Sequence, residues 1–213
     1  MNMNKKGRKL LKIIGICIGV VAIVTIATYL LWWYGCFLPR WIIWNCDGAS
    51  FGEGYVALEG RRVTLRVGGE TDRGNAAEED GDAGYGNAAT AGRKTGTVVW
   101  KTQGDWFVQD LVIKDIDRDG QEELILLVWK HGSYGEHMPF WVEKNDKALK
   151  QHIFIYKFEA KRESKIRAIW MSSQIEYEIT DISSGEGSYL NVTDRTGNTR
   201  VWMWREFGLK LVQ

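Results

Sequence analysis

The residues most able to do chemistry are Asp115-Ile116-Asp117-Arg118-Asp119-Gly120-Gln121-Glu122-Glu123, with carboxylates at positions 1, 3, 5 and 9 of the stretch. In a tight turn, Asp115, Asp117 and Asp119 direct three hard oxygen donors at one centre. Gly120 permits the bend, Gln121 offers its backbone carbonyl, and Glu123 closes the shell. Ca2+ is the cation that such an oxygen set suits. Carboxylates this closely spaced repel one another unless a cation neutralises them, so an acidic surface turn without metal is the weaker reading. The pattern implies a metal and a strand connection, and no reaction.

An EF-hand loop begins with the same acidic spacing but needs a bidentate glutamate at position 12, where this chain has Leu126. The flanks also differ from a helix-loop-helix. Leu111-Val112-Ile113 before the loop and Leu124-Ile125-Leu126-Leu127-Val128-Trp129 after it are short aliphatic and β-branched runs, which read as strands of a buried sheet.

The strand followed by Asp-x-Asp-x-Asp-Gly-x-x-Glu-Leu-Ile, over about residues 108–129, resembles the FG-GAP or integrin-type (VCBS-like) repeat of extracytoplasmic proteins. The resemblance implies a blade of a β-propeller, with a calcium loop joining neighbouring strands. It assigns Asp115, Asp117, Asp119, Gln121 and Glu123 as ligands. One clear copy is present, without a preceding Phe-Gly and Gly-Ala-Pro motif. A fainter echo about 70 residues on compares Val99-Trp100 and Ile113-Lys114-Asp115-Ile116 with Ile169-Trp170 and Ile179-Thr180-Asp181-Ile182. In that second copy Ser183-Ser184-Gly185 replaces the acidic ladder.

The N-terminus fixes the expected topology. Lys5, Lys6, Arg8, Lys9 and Lys12 precede an uncharged run from Ile13 to Tyr34, long enough to cross about 30 Å of hydrocarbon as one helix. Cations before the run and Trp32, Trp33, Tyr34, Trp41 and Trp44 at its far end predict a cytoplasmic tail (1–12), a transmembrane signal anchor (13–34) and an extracytoplasmic remainder at the cell membrane. A cleavable signal peptide is the rival reading, but its apolar region is usually shorter and Thr25 to Tyr34 offers no convincing small-x-small site. Residues 35–54 then form a juxtamembrane segment and 55–213 a β domain. Cys36 and Cys46 are either a short disulfide or two free thiols.

The formal charge of +1 hides an asymmetry, because removing the five N-terminal cations leaves about −4 on the rest, which disfavours nucleic acid as a partner. Tyr55 to Val67 alternates as two strands, and Val98-Val99-Trp100 resumes a strand pattern. Between them, residues 68–96 are rich in glycine, alanine and charge and read as a flexible insertion. Strands are expected at Gln151–Phe158, Lys165–Met171, Glu176–Ile182, Tyr189–Val192, Arg200–Trp204 and Leu209–Val212. The fold class is therefore all-β, with propeller-like blades after one transmembrane helix. About 170 residues supply two or three blades where a closed propeller usually needs at least about four, so closure within one chain is not expected, and a truncated propeller, a β-sandwich-like stack of meanders and assembly from several chains stay open.

His131-Gly132-Ser133-Tyr134-Gly135-Glu136-His137-Met138-Pro139-Phe140-Trp141 offers a second, weaker constellation. His131, Glu136 and His137 are of types that bind transition metals. Tyr134, Phe140 and Trp141 are of types that stack on sugar rings. A structural loop pinned by its aromatics is the plainer reading, and His152 reads as a satisfied edge residue. No nucleophile elbow, phosphate-binding glycine loop or His-Glu-x-x-His motif occurs. The sequence thus points to a membrane-anchored Ca2+-binding module that binds an envelope polysaccharide or a protein. The alternatives are an envelope enzyme acting on glycans and a structural subunit of a membrane assembly.

Overall fold

The computed structural model describes residues 5–36, 38–45, 48–68, 96–135 and 137–212. Most of the expected insertion, together with Cys46 and Glu136, lies outside these. The Cys36 thiol is free and exposed. The chain divides into two units, Met1–Arg40 and Trp41–Gln213.

The first unit is helix α1, Lys5–Trp33, whose segment Lys12–Trp33 is long and apolar enough to cross a membrane. From Ile13 on its aliphatic side chains are exposed around the helix, including Ile16, Val21 and Ile23, as suits a helix solvated by lipid.

The described residues of the second unit form twelve strands in three four-stranded antiparallel sheets, each built from strands consecutive in sequence. The first sheet is β1 (Gly48–Phe51), β2 (Gly54–Glu59), β3 (Arg62–Val67) and β4 (Thr97–Lys101). The second is β5 (Phe107–Lys114), β6 (Glu123–His131), β7 (Leu149–Phe158) and β8 (Ile166–Met171). The third is β9 (Ile179–Ser184), β10 (Tyr189–Asp194), β11 (Thr199–Arg205) and β12 (Gly208–Leu211). The all-β architecture is as expected, and the three sheets form no closed barrel or propeller.

Two apolar cores lie on opposite faces of the second sheet. Leu124, Leu126, Val128, Phe154 and Tyr156 pack with Val56, Leu58, Val63 and Leu65 of the first sheet. Ile125, Leu127, Ile153 and Ile155 pack with Ile179, Ile182, Leu190 and Val192 of the third. Both faces of β6 are therefore dry, which explains its uninterrupted apolar run, whereas β2, β3 and β10 bury every second residue. The alternate positions of the outer sheets carry Thr64 and Arg66 on one side and Asn191 and Thr193 on the other.

The sequence placed a juxtamembrane segment at 35–54, but the second unit begins at Trp41 and contains β1 within that range. Strand β1 carries only four residues, Gly-Ala-Ser-Phe, and a single fully buried one, Phe51, so periodicity has almost nothing to report. The internal echo falls on β4 followed by β5 and on β8 followed by β9. Each pair is the last strand of one sheet and the first of the next. Asp181 lies inside β9 while Asp115 follows β5, so the two aspartates are not structural equivalents.

Candidate metal centre

The acidic loop joins β5 to β6, whose ladder closes at the pair Lys114 and Glu123. Ile116, 1% exposed, plugs the loop into the core between the second and third sheets. The aspartates build the turn with their own side chains. Asp115 accepts from the backbone N–H of Arg118 (2.7 Å) and Gly120 (3.0 Å), Asp117 from that of Asp119 (3.1 Å), and Asp119 from that of Gln121 (3.0 Å). Arg118 and Gly120 both take positive φ, +66° and +87°, so glycine stands where the left-handed bend requires it.

Glu123 is fully buried, and its Oε2 accepts from the Ile116 N–H at 2.9 Å. Ligand oxygens of Asp115, Asp117 and Glu123 lie within 4.8 Å of one another, close enough to hold a metal ion. Among the described residues this is the one such group. Asp119 turns its second oxygen toward the same point. Gln121 is exposed, and its N–H is spent on Asp119.

Lys157, from the neighbouring strand β7, fills that point. Its Nζ lies 3.0 Å from Asp117 Oδ2 and 3.2 Å from Glu123 Oε1, and it also binds Asp119 Oδ2. Glu123 Oε1 has this charge contact but no aligned hydrogen-bond donor. Burial pulls the Lys157 ammonium toward deprotonation, but Asp119, Asp117 and Glu123 outweigh it and hold its pKa above the usual 10.5. Lys157 in turn lowers Asp119. Burial raises Glu123 despite the Ile116 N–H, with the Asp117 charge adding to the rise. Sequence spacing missed Lys157, because only the β6–β7 register brings it opposite Glu123.

Among the described residues the second constellation does not assemble. His131 Nδ1 bonds the Lys147 carbonyl (2.8 Å), His137 is exposed, and Glu136 lies outside the described residues. Tyr134, Gly135, His137 and Pro139 line an open cavity of about 500 Å³ against Ile169, Trp170 and Met171 of β8. Phe140 and Trp141 are absent from its lining and project outward, so the three aromatics make no common platform. His152 lies on an inner strand with no exposed surface, its ring nitrogens facing the carbonyls of Gly132 (3.0 Å) and Ser172 (3.1 Å).

Fold and site together define a β-rich module of three stacked meanders, preceded by an apolar helix and carrying one acidic cluster able to hold a metal ion. No family model, curated protein or solved structure matches the chain.

Proposed function

We propose that this chain is a membrane-anchored extracytoplasmic module that takes up Ca2+ in the Asp115–Glu123 loop and serves binding, with the ion holding a strand connection in place. The observation that carries this reading is the charge balance of the loop. The carboxylates of Asp115, Asp117, Asp119 and Glu123 meet one ammonium, so negative charge remains in excess around a buried oxygen that lacks an aligned donor. A second cation relieves that excess.

Ca2+ and Lys157 cannot share the centre. A divalent ion and an ammonium about 4 Å apart repel by about 8 kcal/mol at an effective dielectric of 20. The ion therefore displaces the lysine head, which swings out on its flexible stem toward solvent. Competition of this kind suits the affinity of extracellular modules, with Kd on the order of 0.1 to 1 mM.

The presence of Lys157 also favours a second reading, in which the ammonium is the permanent counter-ion and the loop is a structural turn. Thermal unfolding of the full chain in nanodiscs, with Ca2+, Mg2+ or chelator, separates the two. Millimolar Ca2+ that alone raises the melting temperature by a few degrees supports the calcium module. Identical curves in all three conditions leave the lysine-closed turn.

The partner class follows the resemblance to envelope-facing repeats and is an extracytoplasmic polysaccharide or protein. Catalysis is the weaker reading, because the carboxylates most easily singled out are engaged with Lys157 and with turn N–H groups.

A further inference from the structure

Strand β4 is an edge of the first sheet and β8 an edge of the second, and a cavity of about 310 Å³ lies between them at the mouth of the first core. Trp100 and Met171, both partly buried against that core, line it together with Tyr156, whose ring stands 5.1 Å from that of Trp100. The volume suits a ligand the size of a ring or two. Its floor is therefore aromatic and apolar.

The rim is cationic. Lys101, Arg162 and Arg167, all exposed, line the same cavity. Glu159 holds both guanidiniums, its Oε1 accepting from Arg167 Nε and its Oε2 lying 3.8 Å from Arg162 Nη1. One carboxylate thus orients two arginines and leaves most of their N–H donors free for an anion. Residues 159–165 add Lys161 and Lys165 against Glu163, so positive charge stays in excess here on a module whose sequence is acidic beyond the N-terminal cations.

The two edges are poorly suited to an added peptide strand. Val99 in β4 and Ile169 in β8 are each the extra residue of a bulge, so neither edge carries the regular ladder that strand addition needs. Ala168, exposed and small, lines this cavity and also the one lined by Tyr134 and His137. A polymer of rings can therefore run from one cavity to the next across β8.

We infer that this cleft binds an anionic glycan, a sugar ring stacking on Trp100 while its carboxylate or phosphate takes the N–H groups of Arg162 and Arg167. The inference rests on the polysaccharide branch of the reading proposed above. It adds a charge class and a site on the opposite face of the second sheet from Ile116 of the acidic loop.

The test is isothermal calorimetry on the full chain in phosphatidylcholine nanodiscs, in chelator so that calcium held by the glycan plays no part. The probes are a galacturonate tetrasaccharide and a phosphomannan tetrasaccharide, each beside its uncharged counterpart, the methyl ester and mannotetraose. At least one anionic probe should bind, more weakly as salt rises, and its uncharged counterpart should bind at least about tenfold more weakly still. Which probe binds tells a uronate from a sugar phosphate. Arg167→Gln and Ala168→Tyr should each lower that affinity by at least about tenfold. Both side chains are exposed, so the urea midpoint should stay that of wild type. Uncharged sugars bound as tightly as the anionic ones, or wild-type affinity in both variants, overturn the cleft and leave polysaccharide binding elsewhere standing. Hexaglutamate bound as tightly as the glycans overturns the sugar assignment in favour of an acidic peptide. Binding of none of the sugars overturns the cleft and the polysaccharide reading together.

Discussion

Lys157 and Glu123 are direct cross-strand partners on β7 and β6, with Nζ 3.2 Å from a carboxylate oxygen that has no solvent exposure. The ammonium stands where the loop's inner oxygens converge, so one substitution reports on both charge balance and ion binding. In Lys157→Met the buried Glu123 loses its counter-charge, and the calcium-free protein should weaken by about 3 kcal/mol. The same change removes the ion's competitor, so Ca2+ affinity should rise at least tenfold, or about 1.4 kcal/mol. Calcium titration by calorimetry on wild type and variant checks this. A variant that loses stability and gains no calcium response identifies the lysine as the permanent counter-ion.

The joint between the second and third sheets is built from side-chain amides. Gln151 receives the Ile179 N–H on Oε1 (2.7 Å) and returns its own N–H to the Ile179 carbonyl (2.8 Å), as a neighbouring strand would. Gln109, set out of the ladder by a bulge between Val108 and Asp110, accepts from Trp129 Nε1 (2.8 Å) and donates to the Thr180 carbonyl (3.0 Å). Gln151→Leu keeps the bulk but leaves the buried Ile179 N–H without this acceptor and the Ile179 carbonyl with only the longer bond from Gln109 Nε2 (3.3 Å), at a cost of about 2 kcal/mol. Urea unfolding should show the midpoint fall with unchanged slope. A midpoint within error of wild type would mean that the apolar packing of Ile153 and Ile182 alone holds the sheets together.

Much of this architecture was legible because burial writes itself into residue order. The unbroken run of β6 announced a strand dry on both faces, and the alternation in Tyr55 to Val67 announced strands dry on one. In the acidic loop Gly120 takes the positive φ that its type favours, whereas the positive φ of Arg118 is set by the turn and not by its type. What periodicity cannot convey is which strand lies opposite which. Residue order therefore does not mark Lys157, Gln109 or Gln151, which the β6–β7 register and the bulge in β5 set at an acidic centre and a sheet junction. His152 was misjudged for the same reason. A histidine at the head of an apolar run gives no sign in the sequence of whether its strand is inner or edge.

The buried His152 makes stability depend on mild acid. Burial pushes its pKa below the usual 6.5, with the Lys130 charge adding to the effect, against the pull of the Ser172 and Gly132 carbonyls. The unfolded chain therefore takes up a proton near pH 6.5 that the folded chain refuses. The associated stability is present above that pH and drains away as pH falls toward the folded value, by up to about 2 kcal/mol between pH 7 and pH 5. Asp110 and Glu123, both raised first by burial, act in the opposite sense but equally in a His152 variant. His152→Gln should flatten the difference in urea midpoint between pH 7 and pH 5 relative to wild type. Equal slopes in the two proteins would show that His152 accepts its proton without leaving the fold.

Gly52 and Gly60 separate backbone strain from packing. Both take left-handed φ, +59° and +57°, so alanine at either position carries a backbone penalty of about 1 to 2 kcal/mol. At Gly60, in the β2–β3 turn, an added Cβ meets nothing within 4 Å. At Gly52 it falls 2.2 Å from Cγ of Phe158, the ring that packs edge-on against the fully buried Phe51 at 5.9 Å. Gly60→Ala should therefore cost only the backbone term. Gly52→Ala should add about 1 to 3 kcal/mol for displacing a ring that links β1 of the first sheet to β7 of the second. Denaturant melts of the two variants give the packing term by difference. A difference near zero would mean that the Phe51–Phe158 contact yields freely, leaving the four residues of β1 to be held by their ladder with β2.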